Sequence, residues 1–442
     1  MTRIADFPVV ADAADATGRV QAAIDEAHAA GGGRVVLEAG VHRCRGLVLR
    51  SHVDLHLALG AVLLPEPDYD AYLETTVRVI AEDSDRAMIV ARGARGIAIT
   101  GMGTIEAGGA SFIAGDDPVM GTWTPARLRP RVIVLDECTD VRLEGFSVRA
   151  SPMWTIHAIA CRNLTARGVR VDNDRRMPNT DGFVVDSCED VLIEHMEIRT
   201  ADDGIVLKTT AGPDGVPIGP CRRVRVVKCL IESRSCALKI GTETHSPVSD
   251  IVFEDCEIVA SNRGLGVFSR DGGDVTNVRF SRIVLDCEET PDGFWGSGEA
   301  LTVTVVDRRP DRPAGSVSGL VAEDISGSMA GAINFVAHAP GRICGAQLRR
   351  IFLAQRPGPY GTALRYDLRP TAADLAPPPD GSGRANAWVK DAGGRVVGLV
   401  PYPGGMPGVF LKNVADVEEE DVVVERPDIL PRQWNSKRVV RE

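Results

Sequence analysis

The sequence predicts an all-β fold: a right-handed parallel β-helix, or solenoid, with a short N-terminal capping helix. Three observations predict it. A short apolar pattern recurs along the chain, its columns keep their character from copy to copy, and no helix-length segment separates the copies. The pattern is a small or polar residue, then apolar, any, apolar, two mostly polar, apolar, any, apolar. Residues 140–148, 163–171, 190–198, 223–231, 250–258 and 277–285 follow it, with starts 23, 27, 33, 27 and 27 residues apart. Weaker copies begin near Gly96, Gly319, Gly345 and Gly408.

Alternation inside each copy marks a short strand with one buried face. The second column reads Val141, Leu164, Val191, Val224, Ile251, Val278, and the ninth reads Val148, Val171, Ile198, Ile231, Ile258, Leu285. Matching columns imply strands stacked in parallel register, about 4.8 Å apart. Without crossover helices the sheet is not of the βαβ kind, and a repeat of this period reads as a solenoid.

The elements follow in order. Val20, Ile24 and Ala27 share one helical face, which places a cap over about residues 17–31. Thr17 is suited to cap its start, and Gly31-Gly32-Gly33 to end it. Cys138, Cys161, Cys188 and Cys221 each precede a repeat start by two residues, where the next copies have Val248 and Val275. That is an apolar column, and free cysteine behaves as a small buried hydrophobe. The stretch Ala376-Pro-Pro-Pro-Asp-Gly-Ser-Gly-Arg384 reads as a loop or insertion. Residues 417–442, with Glu418-Glu419-Glu420-Asp421 directly after Val417, read as a C-terminal tail, either along the outside or partly mobile, of a single domain spanning 1–442.

Composition narrows the function. The 442 residues are 44% apolar, enough for a large core, and carry a formal net charge of −11 with no basic cluster. That argues against a nucleic-acid partner. No run approaches the roughly 18 apolar residues of a membrane span. The N-terminus lacks the apolar region of a secretory signal, so the chain as it stands is expected in the cytoplasm, or outside it if a leader was trimmed. With no C-x-x-C pair and only eight histidines, neither a metal nor a cofactor is expected.

Chemistry concentrates in two consecutive coils, at Asn179-Thr180-Asp181-Gly182 and Ala201-Asp202-Asp203-Gly204. Aligning the strands that follow stacks Asp181 on Asp203, with Asp202 beside it. Like charges at this spacing repel and raise each other's pKa, a conflict expected at functional sites rather than structural ones. Glycoside hydrolysis uses such a set: one protonated acid for the leaving oxygen and a carboxylate to activate water.

At these residues the sequence resembles glycoside hydrolase family 28, the polygalacturonases and their relatives. The resemblance extends to Gly32-Gly33-Arg34-Val35-Val36-Leu37-Glu38-Ala39-Gly40, Arg129-Pro130-Arg131 and Ser151-Pro152-Met153-Trp154-Thr155-Ile156-His157. It implies an inverting hydrolase with Asp202 as general acid and Asp181 and Asp203 positioning and activating water. Asn179 belongs to the first carboxylate motif. Two family motifs are missing: Ser235 stands where Gly-His-Gly has its histidine, and Gly266-Val267-Phe268 replaces Arg-Ile-Lys. The lost clamp for a uronate carboxylate points to a neutral or deoxy sugar, such as rhamnose, in a plant-type α-linked oligosaccharide or polysaccharide. Replacement contacts are sought in Lys208, Lys239, Glu243, His245 and Arg270, with Trp295 in a glycine-rich loop as a sugar-stacking aromatic. Trp154 reads equally as a packing residue, and His157 as a support for the carboxylates. A β-helix lyase or epimerase is the alternative enzyme, disfavoured by the missing cations. A non-catalytic carbohydrate-binding solenoid is disfavoured by the stacked carboxylates.

Overall fold

In the computed structural model, which describes residues 5–75, 77, 83–291, 294–373, 387–414 and 416–442, the chain winds into a parallel β-helix. Each coil sends two short strands to one sheet and one strand to another. Among the described residues these sheets hold 22 and 13 strands. The predicted columns are the observed register: Val141, Leu164, Val191, Val224, Ile251 and Val278 pair in succession. Their side chains are all nearly or completely buried in one continuous core.

Backbone geometry explains the first column's preference for small or polar residues. Asp140, Asn163, Asp190, Asp250 and Asn277 all take left-handed φ values, between 53° and 60°, a conformation Asn and Asp tolerate better than most. Position six is a second left-handed corner, glycine at Gly145 and Gly168 but His195, Lys228, Asp255 and Arg282 in later copies. Two such bends turn an alternating strand into a coil. Inside, identical positions stack. The Phe253 and Phe280 rings lie 5.0 Å apart and 7° from parallel, and the cysteine column is buried and free of disulfides.

The N-terminal helix α1 runs Thr17–Ala29 and buries Val20, Ile24 and Ala27 against the first coils. Its capping differs from expectation. Thr17 is the first helical residue, and Asp15 accepts hydrogen bonds from its backbone N–H (2.9 Å) and hydroxyl (2.5 Å). A carboxylate at the positive end of the helix does the work assigned to threonine.

The far end corrects a larger expectation. Residues 417–442 are no outer tail: Val417–Glu425 pairs in register with Ala346–Gln355, and Val439–Arg441 continues the other sheet. The copy expected near Gly408 is a strand of the other sheet, Val409–Lys412 pairing with Ile333–Val336, and the last copy begins instead at Asp416, where Glu419 occupies an apolar column and pairs with Leu348. At the end of the stack this carboxylate meets Arg438 (3.2 Å) and Arg441 (3.4 Å). The C-terminal segment thereby closes the helix end with charge where an inner coil would use leucine. The stretch 376–384, expected as a loop, lies outside the described residues.

Candidate active site

The three aspartates sit where strands of the 13-stranded sheet begin. Phe183–Asp186 pairs with Ile205–Thr209, Phe183 opposite Ile205. The Gly182 N–H donates to the Asp203 carbonyl at 2.9 Å, so Asp181 and Asp203 occupy neighbouring rungs. All three side chains are buried, each residue retaining 5% exposure or less.

A polar frame holds the corner before Asp181. Asn173 accepts from the Ser151 N–H (2.9 Å) and donates to Thr155 Oγ1 (2.8 Å) and the Thr180 carbonyl (3.2 Å). Asn179 adopts a φ of 59°. Its side-chain oxygen accepts from Arg129 (2.9 Å), while its backbone N–H donates to Asp202 Oδ2 (3.2 Å). Arg129 also binds the carbonyls of Pro152 and Pro178. One guanidinium thus ties three successive coils together, which explains a buried arginine outside the candidate set. On the other side, Ser233 donates to the Asp202 carbonyl (2.6 Å).

Around the carboxylates, cations are already paired. Lys239 Nζ lies 2.5 Å from Asp203 Oδ2, and Ser235 Oγ donates to Asp203 Oδ1 at 2.9 Å. Lys208 binds Glu243 at 3.1 Å and rests 4.0 Å above the Trp154 ring centre. Arg263 meets Asp367 (2.8 Å) and Glu299 (3.5 Å). Burial, followed by repulsion from Asp202 and Asp203, raises the Asp181 pKa well above the ordinary carboxylate range. Burial also raises Asp203, opposed by the Lys239 ammonium. Burial pushes Glu243 up, but Lys208 and Arg308 outweigh it and bring its pKa down to about 2.

The structure brings together Asn179, Asp181, Asp202, Asp203 and Lys239, with the Lys208–Glu243 pair close enough for Lys208 to act on Asp181. It withdraws Arg270 from the substrate-facing set: that side chain is completely buried and donates to the carbonyls of Ser269, Thr304 and Leu368. His245 is likewise buried, 3.6 Å from Asp271. Trp154 is a packing residue, its faces met by Lys208 and Arg131 and its edge by His157. His157 is fully buried 3.5 Å from Asp186, and burial lowers its pKa to about 4, so it stays neutral. Trp295 is half-buried, stacked obliquely on Trp388 at 5.0 Å. Sequence reasoning missed Trp388 and the anchoring roles of Arg129 and Ser235. Arg129 stands out in the sequence only through the family resemblance, and Ser235 reads there as an absence rather than as a donor.

A model of glycosyl hydrolases family 28 matches residues 71–291, half of the chain. The chain belongs to this family. It is 26% identical over 247 residues to a probable polygalacturonase of Vitis vinifera, covering 54% of this chain and 50% of that one. It is also 26% identical over 342 residues to a polygalacturonase of Ralstonia solanacearum, covering 63% and 62%. The chain thus spans between half and two-thirds of the length of these relatives. An exopolygalacturonase structure from Thermotoga maritima superposes with a TM-score of 0.64 at 21% identity, over 80% of this chain and 88% of that one. A polygalacturonase structure from Erwinia carotovora gives 0.63 at 19% identity, over 80% and 94%. The fold is the right-handed parallel β-helix of these structures.

Within this family 28 chain, the two motif losses are linked in space. Gly266 pairs with Lys239 one rung away. A Cβ on Gly266 would collide with the Phe268 ring and lie 2.8 Å from Cys236 Sγ. Phe268, only 1% exposed, therefore covers the glycine, and the Lys239 ammonium sits 5.8 Å from its ring centre.

Proposed function

We propose that this chain is an inverting glycoside hydrolase that cleaves an α-linked neutral or deoxy sugar, such as a rhamnosyl unit, from a pectin-type oligosaccharide or polysaccharide. One observation carries this reading: three buried carboxylates meet on neighbouring rungs while Lys239, Lys208 and Arg263 beside them are each committed to an anion. Asp202 donates its proton to the leaving oxygen as the glycosidic bond breaks. Asp181 and Asp203 hold and activate the water that attacks the opposite face of the anomeric carbon.

A uronate substrate needs a fixed cation for its carboxylate. Recruiting Lys239 or Lys208 would strip a buried aspartate or glutamate of its partner, at about 3–5 kcal/mol. A neutral sugar asks for no such exchange.

The test is a panel of rhamnogalacturonan and homogalacturonan oligosaccharides with aryl α-glycosides, assayed beside Asp202→Asn. Release of a neutral sugar by the wild type, with the first anomer inverted by NMR, supports the reading. Preferential cleavage of homogalacturonan overturns the neutral-sugar assignment. Activity undiminished in Asp202→Asn overturns the acid.

A further inference from the structure

Lys239 lies one rung from the glycine that replaces the family's substrate-binding arginine, yet its ammonium points at a catalytic carboxylate. Its Nζ is 2.5 Å from Asp203 Oδ2, and the hydroxyl of Ser235 donates to Asp203 Oδ1 at 2.9 Å. Both oxygens of one buried carboxylate are therefore held by donors from the next coil. Asp181, on the neighbouring rung, receives nothing comparable among the described residues: Lys208 and Lys239 act on it only from a distance, behind burial and the repulsion of two aspartates.

We propose that Lys239 and Ser235 form a positioning pair that fixes Asp203, rather than Asp181, as the base that accepts the proton of the attacking water. The inference rests on the hydrolase reading above and assigns its base. In the step, water oxygen bonds to the anomeric carbon as the bond to the leaving oxygen breaks. One water proton passes to Asp203, and the Asp202 proton passes to the leaving oxygen.

The groups facing this pair are Asp181 and Asp202 on the preceding coils, Cys236 on its own strand and Arg263 on the next. Cys236 is pushed up by burial and stays a neutral thiol. Arg263 is bound to Asp367 and Glu299. Lys239 is therefore the cation that directly contacts Asp203, and its removal raises the Asp203 pKa further above a value burial already raises.

Two measurements test this. First, the pH dependence of kcat/KM is compared for wild type, Lys239→Met, Lys239→Arg and Ser235→Ala on the best substrate of the panel. In Lys239→Met the acidic limb is expected to move to higher pH by about one unit or more. The neutral-pH kcat falls at least about tenfold with little change in KM, and Lys239→Arg restores part of it. An unmoved acidic limb, or a loss confined to KM, overturns the assignment, the latter making Lys239 a substrate ligand. Second, aspartate carboxyl carbons labelled with carbon-13 are titrated in wild type and Lys239→Met, with Asp203→Asn to identify the resonance. An upward shift for Asp203 supports the pair, and identical titration curves overturn it. Because this readout needs no substrate, an inactive wild type would count against the hydrolase reading while the titration still decides the ion pair.

Discussion

The two large sheets use the same rung spacing to opposite ends. On the 22-stranded sheet, adjacent coils place opposite charges side by side: Arg167 on Glu194, Arg223 on Asp190, Arg225 and Arg282 on Glu254, Arg350 on Asp324. On the 13-stranded sheet, adjacent coils place Asp181 beside Asp203. The first arrangement lies in water, where each pair contributes little. The second is buried, where repulsion is costly. The fold offers both environments: the buried one raises carboxylate pKa values, and the exposed one lowers them.

Substitutions test that contrast, beginning with the largest effect. Asp202→Asn should lower kcat by at least about a hundredfold while leaving the circular dichroism spectrum unchanged. Retained turnover would show that the buried conflict is not catalytic. Phe253→Ala, which empties a stacked core position behind the exposed ladder and away from the aspartates, should destabilise by about 3–5 kcal/mol in denaturant titration with the site chemistry intact. A much smaller loss would mean that the coils do not depend on rung stacking.

Asp181→Asn should stabilise the fold by about 0.5–2 kcal/mol at neutral pH while impairing activity, the exchange typical of strained sites. The sign follows from linkage. The folded pKa of Asp181 is raised above its unfolded value, so its contribution is fully present below the unfolded pKa and is lost as pH rises through the folded pKa. Wild type should therefore lose stability on that rise, and the variant should lose less. Parallel pH–stability curves would remove the conflict from the explanation. The smallest effect is expected at Glu254→Gln on the exposed ladder, under about 1 kcal/mol and fading with salt. A larger, salt-independent loss would erase the distinction between the two sheets.

How much was legible depended on whether the information was periodic. The strand columns, the cysteine column and the Asp181–Asp203 stack all follow from repeat spacing, since register in a solenoid converts sequence separation directly into position. The last coil broke the pattern at Glu419, whose partners Arg438 and Arg441 follow in a separate segment. It was misread because a charge in an apolar column makes sense only at a helix end. Arg270 looked available because it follows Phe268 by two residues, but the strand ends there and the side chain turns into backbone carbonyls.

The sequence by itself determined the solenoid, its register and the rungs that carry the three aspartates, because each is a matter of period and residue type. Only the tertiary structure decided which cation answers which carboxylate. Lys208, Lys239 and Arg270 are cationic residues on successive coils, yet Lys239 holds Asp203, Lys208 holds Glu243 and Arg270 is sealed among carbonyls. Those choices depend on bends, burial and side-chain reach, quantities that a column alignment does not contain.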